Sequence, residues 1–232
     1  VGRLGIMTWL VTGGGAGGYI GSHVVRAFGQ VGLGTVVLDD LSSGHKEFVP
    51  ADVPLVEGSI LDTDLVADTL ATHGVVGVVH LAGGFKYAGV SVDRPLHTYD
   101  QNVTGTAHLL EAMASQGGVD AIVFSSSAAV YGTPPDVDLV TETTATRPES
   151  PYGESKLIGE WLLRDQGGAR PACGTRRCAT STSSAPGPEL YDTSPHNLFP
   201  LVLDALAEGR TPRINGTDYP TPDGTCVRDY IH

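Results

Sequence analysis

A short apolar strand that runs into a glycine-rich turn and then a helical pattern constrains the fold of this chain most. Residues 9–12 read Trp-Leu-Val-Thr, and residues 13–21 contain six glycines before the helical pattern of residues 19–25 is established. Glycines lack side chains, so backbone N–H groups can approach a phosphate at the positive end of the helix. The stretch therefore predicts a strand–turn–helix unit that binds the pyrophosphate of a dinucleotide.

A second apolar strand, residues 35–38, ends in the acids Asp39 and Asp40. This is about the distance along the chain at which dinucleotide-binding domains carry the carboxylate that holds the adenosine ribose. A carboxylate at that point repels a 2′-phosphate, so the sequence favours NAD over NADP. The alternative is that Asp39 only caps a loop.

Strand and helix patterns continue to alternate along the next 100 or so residues. The predicted strands are residues 53–57, 75–81 and 121–125, and the predicted helices are residues 62–70, 95–113 and 152–164. Such alternation predicts an α/β fold in which a doubly wound parallel sheet of the Rossmann type has helices on both faces. The loops after its strands should carry function.

Composition limits the partners and the location of the protein. The chain has 232 residues, of which 41% are hydrophobic, and a formal net charge of −12. This charge opposes binding to nucleic acid or anionic membranes, so small-molecule partners are expected. No run of residues approaches the roughly 20 apolar positions of a membrane span. Cys173, Cys178 and Cys226 form neither a disulfide framework nor a zinc-site pattern, so we expect a reducing, cytoplasmic setting and no metal.

The apolar residues 121–124 read as a buried strand that delivers Ser125, Ser126 and Ser127 to its carboxyl end. Downstream, Tyr152 and Lys156 are four residues apart at the start of a predicted helix, so the ammonium lies one turn from the phenol. A nearby cation favours the phenolate of a side chain that ordinarily titrates near pH ~10, and a bound cation could add to this effect. The alternative is a pair of surface residues without a catalytic role.

Two further segments carry polar residues next to predicted strands. His80 begins the segment His-Leu-Ala-Gly-Gly-Phe-Lys, and Asn102 lies in the helix that follows it. Asn102 is a candidate cofactor ligand. The alternative is that a buried asparagine only holds a bulge in the helix backbone.

Six motifs in order carry a resemblance to a known family. They are the glycine turn with Tyr-Ile-Gly-Ser-His, Asp-Asp-Leu-Ser-Ser-Gly from residue 39, His-Leu-Ala-Gly from residue 80, Asn-Val-Thr-Gly-Thr from residue 102, Phe-Ser-Ser-Ser from residue 124, and Ser-Pro-Tyr-Gly-Glu-Ser-Lys from residue 150. The chain resembles the UDP-glucose 4-epimerases, which are extended short-chain dehydrogenases/reductases. The likeness continues in residues 194–200 and 218–232, which correspond to the sugar-nucleotide half.

The resemblance implies an NAD-dependent interconversion of UDP-glucose and UDP-galactose through transient oxidation at sugar carbon 4. It implies three catalytic residues, Ser127, Tyr152 and Lys156, and a substrate site that adds Asn197 and Arg228 to Ser127 and Tyr152. The implied NAD contacts are Gly15, Gly18, Tyr19, Ile20, Gly21, Asp39, Asp40, Ile60, Leu81, Ala82, Gly83, Lys86, Asn102, Ser125, Tyr152 and Lys156. It also implies a homodimer formed through the helices of residues 95–113 and 152–164.

The resemblance divides the chain into an NAD-binding Rossmann-type domain, residues 7–190, and the start of a smaller C-terminal sugar-nucleotide-binding lobe, residues 191–232. Met7 is the expected natural start, and about the last third of a typical member is expected to be absent. Two rival functions remain. A nucleotide-sugar 4,6-dehydratase would need an acid beside the serines of residues 125–127, and the other rival is an inactive nucleotide-binding fragment.

The chain also departs from the family pattern. Its glycine turn has two extra residues, and Ser59 stands where the family has an aspartate. Residues 167–186 lack apolar periodicity where the next buried strand is needed, so we predict an aberrant loop. In a shifted frame, codons for residues 178–186 can spell the family's Arg-Tyr-Phe-Asn-Val-Val-Gly strand, which indicates a frameshift. We therefore expect the chain as printed to turn over little UDP-galactose.

Overall fold

The computed structural model describes residues 7–13, 18–83, 88–135, 139–169, 174–180, 182–183, 190, 192, 197–214, 216–227 and 230–231. The chain divides into two compact units, residues 1–180 and residues 181–232. This division falls after Thr180, whereas the family resemblance placed it after residue 190. The assignment of the later unit to sugar-nucleotide binding stays a prediction.

A six-stranded sheet forms the centre of the first unit. Its strands are β1 (Thr8–Thr12), β2 (Gly34–Asp39), β3 (Leu55–Glu57), β4 (Val75–His80), β5 (Ala121–Ser127) and β6 (Gly174–Thr180). They pair in parallel in the order β3-β2-β1-β4-β5-β6. This order has its reversal between β1 and β4, as in dinucleotide-binding folds. The prediction of a doubly wound parallel sheet is confirmed.

Helices connect these strands. They are α1 (Tyr19–Gln30), α2 (Thr63–Thr72), α3 (Ala88–Asp93), α4 (Pro95–Tyr99), α5 (Gly105–Gln116) and α6 (Pro151–Ala169). A π-helical turn, Asp100–Thr104, joins α4 to α5, so the single helix predicted for residues 95–113 is continuous but irregular. Short 3₁₀ turns occupy Lys46–Phe48 and Ala128–Val130.

Both faces of the sheet are buried, because alternate residues of each strand pack against helices on opposite sides. Leu10 of β1 belongs to a cluster with residues of α2, α5 and α6, including Leu70, Leu109 and Leu163. Its neighbour Val11 belongs to a second cluster, with Val25 of α1. The near-continuous apolar runs of the sequence follow from this two-sided burial.

The prediction of an aberrant loop over residues 167–186 is wrong for most of the part that the structure describes. Helix α6 continues to Ala169, and β6 pairs with β5 along its whole length, from Gly174 opposite Ala121 to Thr180 opposite Ser127. Backbone hydrogen bonds form this ladder, and a strand at the end of a sheet needs less apolar sequence than a central one. Residues 170–173, 181 and 184–186 lie outside the described residues, and the frameshift stays a prediction about the coding DNA.

The second unit contains helix α7 (Leu198–Ala207) and a two-stranded parallel pairing of β7 (Thr182–Ser183) with β8 (Tyr230–Ile231). Between them, the carboxylate of Asp223 accepts hydrogen bonds from the backbone N–H and hydroxyl of Thr225, which holds a turn. Among the described residues of the whole chain, no helix has the length and apolar character needed to span a membrane.

Candidate active site

The glycine turn joins β1 to α1 as the sequence predicts. Gly13 has φ +49°, and a Cβ built on it would lie 2.3 Å from Cα of Ala82, so the chain after β1 passes directly over the chain after β4. Gly18 caps the start of α1, whose first turn contains no acidic residue, and the buried Ser22 hydroxyl donates to the Gly18 carbonyl at 2.6 Å. Gly15, like the rest of residues 14–17, lies outside the described residues.

The other residues predicted at this helix differ in exposure. Gly21 is buried in α1, and Ile20 is 38% exposed at the helix N-terminus. The ring of Tyr19 stacks edge-on against His23, with 4.9 Å between ring centroids. The first turn of α1 carries no acidic side chain, which suits an anionic group at its positive end.

Asp39 is the last residue of β2 and Asp40 follows it, and each carboxylate closes a turn. The buried Asp39 carboxylate accepts the N–H of Leu41 at 2.9 Å, and Leu41 has the positive φ of 55°. The exposed Asp40 carboxylate accepts both the N–H of Ser42 at 3.0 Å and its hydroxyl at 2.7 Å. The loop-capping alternative for Asp39 is thus part of its role, because its carboxylate fixes this turn at the sheet edge.

Asp39→Asn is expected to reduce the ratio of NAD affinity to NADP affinity by about tenfold, which corresponds to roughly 1.4 kcal/mol in binding free energy. The amide keeps an oxygen for the Leu41 N–H but removes the charge that repels a 2′-phosphate. Titration of both cofactors into the wild type and the variant measures the ratio. Tighter binding of NADP than of NAD by the wild type would contradict the prediction.

The residues after β4 and β3 also lie near this edge. Leu81 donates its N–H to the carbonyl of Thr12 at 3.1 Å, which fixes the segment Leu81, Ala82 and Gly83 beside β1. Ile60 is only 5% exposed, and a Cβ on Gly105 would lie 2.5 Å from its Cδ1. Its side chain therefore packs in the core at the start of α5. Lys86 lies outside the described residues.

The three serines at the end of β5 alternate between the two faces of the sheet. The buried Ser126 hydroxyl donates to the Glu160 carboxylate of α6 at 2.5 Å. Ser125 and Ser127, half-buried, project from the other face. Ser127 accepts the N–H of Ala129 at 3.2 Å and donates its hydroxyl toward the phenol oxygen of Tyr152.

Tyr152 and Lys156 lie on the first turns of α6, as their spacing predicts. Lys156 is 6% exposed, and its Nζ lies 5.1 Å from the centroid of the Phe124 ring and 5.9 Å from that of Tyr152. Ser127, Tyr152 and Lys156 are thus brought together at the carboxyl end of β5.

The pKa of Tyr152 differs from the expectation drawn from this spacing. Burial raises the pKa of the phenol above its ordinary value, and the hydrogen bond from Ser127 opposes that rise without cancelling it. Desolvation is the largest cause, so the net direction is opposite to the lowering that the spacing of Tyr152 and Lys156 led us to expect.

The first turn of α6 is anchored from three sides. The N–H of Tyr152 donates to the Ser91 hydroxyl at 3.2 Å, and the phenol of Tyr99 donates to the Glu154 carboxylate. The latter hydrogen bond is the main reason that the pKa of Tyr99 is raised to about 12. Gly153 packs on the carbonyl of Ala129, 2.6 Å from where its Cβ would lie. Sequence reasoning missed Gly153, although it sits inside the Tyr-x-x-x-Lys spacing.

Asn102 lies 3% exposed in the π-helical turn and contacts α6. Its Nδ2 donates to the Ser155 hydroxyl at 2.8 Å, and that hydroxyl donates to the Tyr152 carbonyl at 2.7 Å. The alternative that Asn102 only holds a backbone bulge is therefore correct in part. Asn102 does occupy a bulge, but its side chain also contacts the turn that carries Tyr152. Ser155 was not identified from the sequence.

His80, at the end of β4, is fully buried, and its pKa is lowered to about 3, first by burial and then by the positive charge of Lys156. Because the unfolded histidine titrates near ~6.5, this group contributes stability that is complete above that pH and is lost as the pH falls toward about 3.

The free energy of unfolding of the wild type is therefore expected to fall between pH 6.5 and pH 3, with His80 contributing up to about 1.4 kcal/mol per pH unit. Urea unfolding at several pH values measures the slope. His80→Gln should make the slope shallower, whereas His73→Gln, at the partly exposed end of α2, controls for removal of an imidazole. Equal slopes for wild type and His80→Gln would contradict this assignment.

The predicted substrate residues belong to the second unit. Asn197 precedes α7, and its Nδ2 donates to the Asp192 carboxylate at 2.5 Å. Arg228 lies outside the described residues. No group of three or more histidine, cysteine or acidic side chains that could hold a metal ion occurs among the residues that the structure describes.

The Rossmann-type sheet, the glycine turn and the grouping of Ser127, Tyr152 and Lys156 are the arrangement of a short-chain dehydrogenase/reductase domain. A family model described as the NAD dependent epimerase/dehydratase family matches residues 9–232, and the chain belongs to this family. The resemblance drawn from the sequence motifs is confirmed.

Individual relatives agree with this assignment. The chain is 44% identical over 230 residues to the UDP-glucose 4-epimerase of Azospirillum brasilense, covering 96% of this chain and 64% of the relative. It is 41% identical over 241 residues to that of Erwinia amylovora, covering 97% and 70%. The chain thus spans about two thirds of the length of these curated relatives.

Two solved structures show the same fold. The UDP-glucose 4-epimerase from Bifidobacterium longum in complex with NAD+ and UDP matches with a TM-score of 0.88 and 33% identity, covering 97% of this chain and 70% of that one. The enzyme from Brucella ovis in complex with NAD matches with a TM-score of 0.86 and 36% identity, covering 97% and 69%.

Proposed function

We propose that this chain binds NAD at the carboxyl edge of the β1–β4–β5 sheet and belongs to an enzyme that interconverts UDP-glucose and UDP-galactose. The observation that carries the proposal is that Ser127, at the carboxyl end of β5, is brought together with Tyr152 and the buried Lys156 on the first turns of α6. The relatives named UDP-glucose 4-epimerase support the choice of substrates.

The described residues fit a bound dinucleotide. Gly13 and Gly83 let the backbone pass close to Ala82 and Asn102, where a Cβ would not fit, and the first turn of α1 carries no acid that would repel a pyrophosphate. Asn102 Oδ1 is buried with no hydrogen-bond donor among the described residues, which is a site for a ligand donor. Asp39 lies where a ribose would be held.

When bound, NAD would supply the acceptor for the hydride of sugar carbon 4 and return that hydride to the other face of the 4-keto sugar. The protein's own residues hold and move the proton. Tyr152 as phenolate would take the proton of the 4-hydroxyl, with Ser127 donating its hydrogen bond to the phenol oxygen. Lys156 would stabilise the negative charge that Tyr152 carries before it takes this proton.

The phosphates and uridine of the substrate would bind at the second unit, through Asn197 and Arg228. An arginine is suited to a pyrophosphate because its guanidinium can donate two parallel hydrogen bonds. Firm anchoring of UDP with few contacts to the sugar would allow the 4-keto sugar to turn over between the two hydride transfers.

A 4,6-dehydratase is less well supported, because that reaction needs an acid beside the serines. Among the described residues, the carboxylate of Glu160 contacts these serines, and it binds Ser126 on the face of the sheet opposite Ser127. An inactive nucleotide-binding fragment is the second alternative. Strand β6 removes one structural reason for expecting little turnover, so an assay of the chain itself decides between these alternatives.

We also propose that the protein is a cytoplasmic homodimer. Leu96 of α4 and Trp161 of α6 are 83% and 46% exposed, and both lie on the helices predicted to pair. Sedimentation would show a dimer at micromolar concentration, and a monomer would contradict this proposal.

The test of the proposed function is incubation of the protein with NAD and UDP-galactose, followed by NMR detection of UDP-glucose. We expect conversion that depends on NAD. Binding of NAD and UDP without any conversion would establish the inactive fragment, and release of a 4-keto-6-deoxy sugar would establish the dehydratase.

A further inference from the structure

A chain of buried hydrogen bonds runs from the end of β1 to the π-helical turn. Thr12 Oγ1 lies 2.7 Å from His80 Nδ1, and His80 Nε2 lies 3.0 Å from Thr106 Oγ1. The Thr106 hydroxyl in turn donates to the carbonyl of Asn102 at 2.6 Å. Each of these four side chains is at most 3% exposed, so solvent does not compete for the hydrogen bonds.

Counting the available protons fixes which group donates and which accepts in each of these hydrogen bonds. A hydroxyl has one proton, and that of Thr106 goes to the Asn102 carbonyl. Thr106 must therefore accept from His80, which places the imidazole proton on Nε2. His80 Nδ1 is then a bare acceptor, and it takes the hydroxyl proton of Thr12. A neutral His80 with its proton on Nε2 satisfies every member.

The same counting fixes the side chain of Asn102. Ser155 donates its only proton to the Tyr152 carbonyl, so it accepts from Asn102, and the atom facing Ser155 must be the amide nitrogen. The amide oxygen then faces Gly83, where a Cβ would lie 2.6 Å from Asn102 Oδ1 and 3.6 Å from Lys156 Nζ.

The π-helical turn contains Asn102 and therefore joins the hydrogen bonds through His80 and Thr106 to those through Ser155. Gly105 donates its N–H to the carbonyl of Asp100, five residues earlier, so the helix is locally widened at Asn102. Widened turns of this kind are frequent at functional sites. Here the widened turn is held on one side by the Thr106 hydroxyl and on the other by Ser155 of α6.

We propose that His80, Thr106 and Ser155 are positioning residues that form a one-directional hydrogen-bond relay. The relay aims the amide oxygen of Asn102 at a hydrogen-bond donor of the bound cofactor, beside Lys156. It also ties the strand before the glycine turn to the helix turn that carries Tyr152. The inference rests on the proposed NAD binding for the identity of the ligand, whereas the relay itself is a property of the chain alone.

The first experiment needs neither cofactor nor turnover. Long-range proton–nitrogen NMR of the ¹⁵N-labelled full chain reports which imidazole nitrogen of His80 carries the proton. The relay requires a neutral ring protonated on Nε2. A ring protonated on Nδ1 would overturn the proposal.

The second experiment separates positioning from packing with matched variants. Thr106→Val keeps the shape but removes the hydroxyl, whereas Thr106→Ser keeps the hydroxyl. We expect Thr106→Val and Ser155→Ala each to weaken NAD binding by about threefold to tenfold, the effect of one hydrogen bond, and Thr106→Ser to retain wild-type affinity. The Asn102 side-chain amide resonances should shift in both weakened variants, since the amide loses a restraint in each.

The outcomes distinguish this inference from the proposed function. The positioning role would be overturned if Thr106→Val and Ser155→Ala fold and their NAD affinities lie within twofold of the wild-type value. This holds whichever nitrogen of His80 carries the proton. A wild type that binds no NAD would overturn the proposed function together with the cofactor contact of Asn102. In that case the NMR measurement still decides whether the relay exists.

Discussion

Replacing Tyr152 by phenylalanine is expected to lower the rate of hydride transfer from UDP-galactose to bound NAD at least about 100-fold, while NAD affinity changes by less than about threefold. General acid–base catalysis contributes roughly 10²–10⁴ to a rate, and the variant removes only the phenol oxygen that receives the proton. The ring that packs beside Lys156 remains. Single-turnover absorbance of the reduced cofactor measures the rate, and a titration measures the affinity.

Tyr131→Phe is the matched control for this experiment. Tyr131 follows the 3₁₀ turn of Ala128–Val130, so the control removes a phenol oxygen close to the same strand end. Its rate should stay near that of the wild type. Comparable rates for Tyr152→Phe and the wild type would remove Tyr152 from the role of acid–base residue.

Gly153→Ala is expected to lower the free energy of unfolding by about 1–3 kcal/mol, the usual cost of an extra methyl group in a closely packed position. The new Cβ would lie 2.6 Å from the backbone carbonyl of Ala129, which cannot rotate away as a side chain can. Either α6 or the turn after β5 must move, and the movement separates Tyr152 from Ser127. We therefore expect slower hydride transfer in this variant as well, measured alongside urea unfolding.

Gly168→Ala provides the control within the same helix. A Cβ on Gly168 meets no atom within 4 Å, so the substitution should raise stability by up to about 1 kcal/mol through the greater helix propensity of alanine. If Gly153→Ala also proved stabilising, the close approach of α6 to the Ala129 carbonyl would be refuted.

The sequence predicted those parts of the fold that depend on local pattern. The strand–turn–helix unit at Gly13 and the four-residue spacing of Tyr152 and Lys156 are set by neighbouring residues, and the structure places them as expected. The approach of Ser127 to Tyr152 also followed, because a strand end and a helix start must meet at the edge of a parallel sheet.

Strand β6 could not be predicted in this way. Its sequence, Gly-Thr-Arg-Arg-Cys-Ala-Thr, has no apolar alternation, and its place depends on the exposed backbone groups of β5. A pattern of side chains carries no information about a ladder made by the backbone. The polar relay through His80 was missed for a related reason, since its partners Thr12 and Thr106 are far apart in the sequence.

The direction of the Tyr152 pKa also lay beyond the sequence. Spacing shows that a cation is one turn away, but the opposing effect of burial depends on how much of the phenol is covered by the fold. We expect the positive ring of bound NAD to add to the effect of Lys156 and so to favour the phenolate of Tyr152.

Our central claim is that Tyr152 becomes a phenolate base when NAD binds. Measuring the ionisation of Tyr152 on cofactor binding tests this claim most directly. Ultraviolet difference spectra at mildly alkaline pH compare the protein with NAD, whose nicotinamide ring is positive, and with NADH, whose ring is neutral. Phenolate absorbance should appear with NAD, stay absent with NADH, and be missing in Tyr152→Phe. Saturation with NAD that produces no phenolate, or an equal signal from Tyr152→Phe, would contradict the account.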